Sequence, residues 1–328
     1  MSTTTTSKVH RKMYAAALCA AFVIACASTR SSSAAEPAGN APAPADPAAQ
    51  KTYDSPEAAF AALIDAMAKN SDDAVLDVLG HQHTDLVVQT DKEASAEVRK
   101  KICAAAKENL RIVTTGDKAS AHLGLKDWPY PIPLVKKANS WSFDTAAGKE
   151  EILNRRIGRN ELHAIRFVNA YDDAQRAYAT KDHTGDKVLK YAQKLISSKD
   201  KKDGLYWPIA VDSKEEPSPL DAAFEEGQDF RDGADVPYSG YFFKVLTKQG
   251  ANPPNGKYDY VINGNMIAGF ALVAYPADYG TSGIMTFVIN HQGVIYQKDL
   301  GPDSSKLGAA MDEYNPDATW TAVKPEDR

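Results

Sequence analysis

One stretch of this chain limits its fold more than any other. Leu153, Ile157, Ala164, Ile165, Val168, Tyr171, Ala174 and Tyr178 keep one face apolar from Glu150 to Thr180. Recurrence every three or four residues predicts an amphipathic α-helix. About 30 residues at 1.5 Å each span about 45 Å, longer than one small domain needs. An apolar face of that length has to be covered on both halves, so the helix should act as a spine shared by two packing layers. Glu151 and Arg155 sit at i,i+4 in the favourable orientation and support its first turns.

The sequence ahead of the spine reads as helices followed by strands. Ser55-Pro56-Glu57 is a helix start, with Ser as N-cap and Pro at the first helical position. Ala59, Phe60, Leu63, Ile64 and Met67 follow at helical spacing. A second helix, DDAVLDVLG, ends at Gly80, and a third runs from about Ser95 to Asn109 with Val98, Ile102 and Ala105 on one face. Arg111–Thr115, Ala119–Leu125 and Leu134–Phe143 then read as strands, split by turns at Gly116-Asp117 and Lys137–Asn139. Between them, Trp128-Pro129-Tyr130-Pro131-Ile132-Pro133 cannot be a central strand, because three prolines remove ladder donors. It reads as an extended, aromatic-rich edge or loop.

After the spine a shorter helix is expected at Lys187–Ser197, then an acidic connection over 209–236 with a small helix at Pro219–Glu226. The last third is strand-rich: Gly240–Thr247, Tyr258–Ile262, Met266–Tyr275, Ile284–Asn290 and Val294–Lys298. Asn263-Gly264 is a strong two-residue hairpin signal, and Asn290–Gly293 makes a four-residue turn. The expected class is α+β. It has N-terminal helices with a small curled antiparallel sheet, the spine helix, and a C-terminal antiparallel meander against that helix.

The N-terminus carries an export pattern. His10, Arg11 and Lys12 precede the apolar run AAALCAAFVIACA at 15–27, which is too short to span a bilayer and has the form of a secretory signal. Ser33-Ala34-Ala35 offers a simple cleavage site before Glu36, whereas Val23-Ile24-Ala25-Cys26 has the form of a lipobox with Cys26 as the lipidated residue. Both remain open. Residues 31–50 hold eight alanines and four prolines and read as a tether. The expected organisation is a signal segment at 1–35, a tether at 36–52, an α+β domain at 53–146, and the spine with the C-terminal sheet domain at 147–328.

The formal charge is −5, and either cleavage would deepen it by removing Lys8, Arg11 and Lys12. That balance argues against nucleic acid and anionic membrane surfaces as partners, leaving membrane attachment to the lipid anchor alone. Cys19 and Cys26 lie in the signal segment, so Cys103 alone remains in the body and no internal disulfide is available. Within KKICAAAKENL it reads as a buried small hydrophobe.

Few residues suggest chemistry. His81-x-His83 with Asp85 has metal-like alternation but lacks a fourth partner, and reads as a solvated loop after Gly80. Arg155, Arg156, Arg159, Asn160 and Glu161 cluster within two helical turns; they read as ties between the two layers before they read as an anion site. His163 on the same helix reads as packed. Trp128, Tyr130 and Trp141 are candidates for an aromatic ligand pocket, and Tyr275 and Tyr279, flanking Pro276-Ala277-Asp278, for a partner-binding surface loop. No Gly-x-Ser-x-Gly, Walker or dinucleotide fingerprint is present, so no catalytic, cofactor or metal residue is assigned.

Four stretches carry a family resemblance: WPYPIPLVK at 128–136, WSFDTAAGKEEILNRRIGRNEL at 141–162, SGYFFKVLTKQG at 239–250 and NGNMIAGFALVAYPADYGTSGIMTFVINHQGVIYQKDLG at 263–301. With them, the chain from about residue 53 onward resembles a bacterial family known as domain of unknown function 2950. The resemblance implies an exported bacterial protein and carries no activity. The element order of the N-terminal part resembles nuclear-transport-factor-2-like or cystatin-like modules. The order of RRIGRNELHAIRFVNAYDDAQRAYAT, GYFFKVL and GIMTFVINHQGVIY is similar to type IV pilin-like headgroups. It departs from them where polymerisation is decided, because about a hundred residues of folded chain, not a hydrophobic stem, precede the helix.

These readings lead to an exported envelope protein acting as a non-enzymatic interaction or assembly module with an envelope protein partner. The alternative is a small-ligand binder using the aromatic pocket, and a hydrolase ranks third.

Overall fold

The computed structural model describes residues 50–208, 216–221 and 236–324. The signal segment, Cys26, most of the tether and most of the acidic connection therefore lie outside the described residues.

Helix α1 (Pro56–Ala68) starts as its sequence demands: Ser55 is extended and its hydroxyl accepts from Ala58 N at 3.1 Å, with Pro56 in the first turn. Helix α2 (Asp72–Leu79) is capped by Ser71 and ends at Gly80, whose φ of +99 closes the turn. A short 3-10 turn at His81–His83 leads into α3 (Thr84–Val87). Helix α4 (Lys92–Glu108) begins earlier than Ser95 because Asp91 caps it, accepting from Ala94 N at 2.9 Å. Its orientation also departs from expectation: Arg99 and Cys103 are the buried side chains, whereas Val98 is 55% exposed.

Strands β1 (Leu110–Thr115), β2 (Lys118–Leu123), β3 (Trp128–Pro129), β4 (Leu134–Lys137) and β5 (Ser140–Phe143) form one antiparallel sheet in the order β1-β2-β4-β5, with β3 also on β2. The proline-rich stretch behaves as an edge. Trp128 and Pro129 pair with Leu123 and His122, Tyr130 N donates to Ala121 O at 2.7 Å, and the ladder resumes only at Leu134. Phe60, Leu63, Leu76, Leu123, Leu134 and Phe143 are 4% exposed or less and belong to the core between these helices and the sheet.

Helix α5 (Thr145–Tyr178) starts five residues ahead of its expected boundary, because Asp144 accepts from Ala147 N at 3.1 Å. Thirty-four residues give it a length of about 51 Å. Gly148 allows its first turns to sit against the sheet: a Cβ there would lie 2.6 Å from Cγ1 of Ile132. The later half enters a second core with Ala164, Ile165, Phe167, Val168, Tyr171, Ala174 and Tyr178, all buried. Polar groups fix its middle. Asn160 Nδ2 donates to Ser282 O at 2.8 Å, and one oxygen of Glu161 accepts from the N–H groups of Ile284 and Met285 at 3.0 Å each. Asn160 and Glu161 thus tie the helix to the 282–285 segment, and Arg155 ties it to Pro129 O. Glu161→Ala leaves both N–H groups without that acceptor and should cost about 1–3 kcal/mol, measurable by urea denaturation.

The helix expected at Lys187–Ser197 does not form. Two N–H groups its interior would need are engaged elsewhere: Tyr191 N donates to Met266 O at 2.8 Å and Ala192 N donates to Gln175 Oε1 at 2.8 Å. Of the small helix at Pro219–Glu226, only its first residues through Asp221 are described, and they form a turn.

The C-terminal part runs β6 (Tyr241–Leu246), β7 (Lys248–Gln249), β8 (Tyr258–Asp259), β9 (Val261–Ile262), β10 (Asn265–Met266), β11 (Ala271–Pro276), β12 (Met285–Asn290), β13 (Tyr296–Asp299), α6 (Ser304–Ala310) and β14 (Thr321–Ala322). Its main sheet has the antiparallel order β14-β13-β12-β11-β6. The strand expected over Met266–Tyr275 breaks into β10 and β11, since Tyr260 O takes the N–H groups of Ile267 and Ala268 and Gly269 adopts φ +151. Asn263 and Gly264 connect β9 to β10 with φ of +50 and +82, the positive values a type I′ turn requires. A Cβ on Gly264 would meet nothing within 4 Å, so Gly264→Val should lose about 1–2 kcal/mol through backbone strain alone. An unchanged melting temperature in that variant would contradict this account of the turn.

Candidate functional site

Stripes on three elements border one concavity. On α4 these are Val98 and Ile102; on β3 and the residue after it, Trp128 and Tyr130; on α5, Ile152, Arg155, Gly158, Arg159 and Leu162. They surround a hollow of about 910 Å³. Its floor is the N-terminal core, through Met67, Val75, Leu79, Val87 and Ile132. A second hollow of about 540 Å³ adjoins it, sharing Val98, Ile102 and Trp128 and adding Leu123 and Leu125. Large apolar side chains are left in solvent at the rims: Val98 at 55%, Trp128 at 44%, Leu162 at 43% and Leu125 at 80%. One exposed apolar residue needs no explanation, but several converging on one concavity do.

The aromatic wall is held in place. Tyr130 packs edge-on against Phe60 with ring centroids 5.3 Å apart, and Trp128 packs edge-on against Tyr130 at 6.2 Å. The guanidinium carbon of Arg155 lies 5.6 Å from the Trp128 ring centroid. Arg155 also donates from Nε to Glu151 Oε1 at 2.7 Å and from Nη1 to Pro129 O at 2.8 Å. Burial pushes the Tyr130 phenol far above its ordinary range, so it stays neutral.

Arg99 closes the far side. It is buried and donates to Asn70 Oδ1 at 3.2 Å, to Val87 O at 3.2 Å and to Asp72 Oδ1. The Arg99 bond is the first cause holding the Asp72 carboxyl below the usual carboxylate range. Asp91 also lines the hollow, and its carboxylate caps α4.

The other sequence candidates lie elsewhere. Trp141 is 6% exposed in β5 and pairs through its backbone with Tyr53, so it belongs to the core and not to the hollow. Tyr275 is not on a surface loop. It sits in β11, 4% exposed, under α6, where a Cβ on Gly308 would lie 2.3 Å from its ring. Tyr279 is half-buried and donates to Asp299 Oδ2 at 3.2 Å. His81 bonds Asp77 Oδ1 at 3.0 Å, and Asp85 pairs with Lys149. Among the described residues no group of three or more His, Cys, Asp or Glu side chains is placed to hold a metal ion. Cys103 is buried with its sulfur 3.7 Å from Ile64 O, and burial pushes the thiol up, the opposite of what a nucleophile needs. His163 is half-buried, with Nδ1 3.2 Å from Ser239 Oγ.

Sequence reasoning singled out Trp128 and Tyr130 but missed Val98, Gly158, Arg159 and Leu162 as parts of one surface. The available signal was a glycine at the centre of an otherwise unbroken helical period.

Among the described residues no helix is long and apolar enough to cross a membrane. No curated protein and no solved structure matches the chain, so the likeness to pilin headgroups has no support from known folds. The profile of the family described as protein of unknown function (DUF2950) matches residues 50–323, which takes in both cores, the spine and the hollow, and the chain belongs to that family.

Proposed function

We propose that this protein is exported to the cell envelope and there captures an apolar ligand in the hollow between α4, β3 and α5. The observation that carries this reading is the concavity itself: about 910 Å³, walled by Val98, Ile102, Trp128, Tyr130 and Leu162. Ligand sites of about 300–1,000 Å³ with mostly apolar and aromatic walls and a few polar groups are the common form. An envelope protein partner, the other reading of the sequence, would be better served by a broad flat patch than by a hollow. The candidate partner loop supports it weakly, since Tyr275 is buried and Tyr279 is bonded to Asp299.

Titration with the neutral fluorophore N-phenyl-1-naphthylamine tests the reading. Saturable enhancement at one probe per chain, lost in Trp128→Ala, is expected. No enhancement at any concentration would rule out the hollow as a ligand site. Export has its own test, the intact mass of the envelope-localised protein. Loss of residues 1–35, or of 1–25 with a diacyl addition on Cys26, is expected, and a retained Met1 would contradict export.

A further inference from the structure

We propose that the hollow selects a single-chain amphiphile with an anionic head group, and that Arg159 takes the head. This rests on the reading of the hollow as a ligand site. The charged side chains on its lining are Arg99, Arg155, Arg159 and Asp91, three positive to one negative, in a chain whose formal charge is −5. Asp72 and Glu151, outside the lining, pair with Arg99 and Arg155, so Arg159 is the lining cation without an ion pair among the described residues.

The four are not equivalent. Arg99 is buried and spends its donors on Asn70, Asp72 and the Val87 carbonyl. Arg155 is held by Glu151, the Pro129 carbonyl and the Trp128 ring. Asp91 accepts from Ala94 N at the start of α4 through one carboxylate oxygen. Arg159 follows Arg155 by one helical turn, so it lies on the same face. It is exposed, lines the hollow, and has no ion pair among the described residues. A guanidinium presents a planar fork that matches a carboxylate through two parallel hydrogen bonds. Apart from Gln89 and Ser95, the remaining walls are apolar or aromatic and suit a tail. The polar end is therefore expected at the Arg159 turn of α5 and the tail along Ile102, Trp128 and Ile132.

The test is displacement of N-phenyl-1-naphthylamine from the full chain at pH 8 by dodecanoic acid, dodecanol and dodecyltrimethylammonium, the ionic two below their micelle concentrations and the alcohol below its solubility limit. The acid should compete about tenfold better than the alcohol, as expected for a hydrogen-bonded charged pair, and the cationic amphiphile worst. Arg159→Gln should weaken the acid about tenfold and leave the alcohol unchanged, while Arg159→Lys restores part of the difference. Lengthening the acid from ten to twelve carbons should tighten it by about fourfold per methylene. Equal competition by acid and alcohol, or equal losses of both in Arg159→Gln, would overturn the head-group assignment while the hollow remains a ligand site. Absence of probe binding altogether would overturn both.

Discussion

Gly158→Phe should lower the affinity for N-phenyl-1-naphthylamine roughly fifty- to hundredfold while the protein melts at or above its original temperature. A glycine inside a helix costs about 1 kcal/mol relative to alanine, so its presence calls for a reason. At Gly148 the reason is packing, because a Cβ there would collide with Ile132. At Gly158 no such reason exists: an added Cβ would meet nothing within 4 Å, and the position lines the hollow. Removing the glycine should relieve the helix, and any side chain placed there enters space a ligand would use. A phenyl ring takes at least three methylene-equivalents of contact from the ligand at about 0.8 kcal/mol each. Gly158→Ala separates the two effects. It should raise stability by about 0.5–1 kcal/mol and reduce affinity only slightly. If Gly158→Phe folds and binds the probe as well as the parent, the ligand does not occupy this hollow.

How legible the molecule is in its sequence depends on whether the deciding contacts are local. The turn at Asn263-Gly264 is local: two adjacent residues that tolerate positive φ set it, and it forms where expected. The spine is semi-local, since its apolar period is intrinsic to α5 even though its coverings are distant. Lys187–Ser197 fails for a non-local reason. Its helical period is real, yet Gln175, seventeen positions from Ala192, takes both the N–H and the carbonyl of that residue. Tyr275 fails similarly, because α6 covers it, and SSKLGAA is too short and too small-sided to announce a helix that buries a strand. With α5 on one face and α6 on the other, β11 is buried along its whole length.

The hollow is the least legible feature because it consists of what the elements leave uncovered. Val98, Ile102 and Ala105 form an apolar stripe, and an apolar stripe is ordinarily evidence of burial. In this fold α4 buries Arg99 and Cys103, leaves Ile102 and Ala105 partly covered at the edge of the core and Val98 in solvent, and Arg99 is accepted there because Asn70, Asp72 and Val87 satisfy it. A buried arginine with its partners in place is what releases the neighbouring apolar stripe to line a cavity. That exchange depends on Asn70 and Asp72, 29 and 27 positions from Arg99, so no window along α4 could have revealed it.

Ile165→Ala should destabilise the protein by about 2–5 kcal/mol, whereas Leu162→Ala, three residues earlier on the same helix, should change stability by no more than about 0.5 kcal/mol. Both are branched aliphatic residues of α5, and only their surroundings differ. Ile165 is 5% exposed in the C-terminal core, where Leu272, Phe287 and Ile289 are fully enclosed. Truncation there leaves a cavity in a packed layer that cannot readily collapse. Leu162 is 43% exposed at the mouth of the hollow, so its truncation removes little buried area but should weaken the probe. We propose that the segments divided near residues 146 and 147 are coupled through this helix and do not behave as beads on a linker. Urea denaturation of both variants and limited proteolysis of the parent examine the same point. A single cooperative transition with α5 resistant to cleavage is expected. Rapid cleavage within residues 155–170 that releases two stably folded halves, or equal small losses at Ile165 and Leu162, would mean that the later half of α5 does not support the C-terminal core.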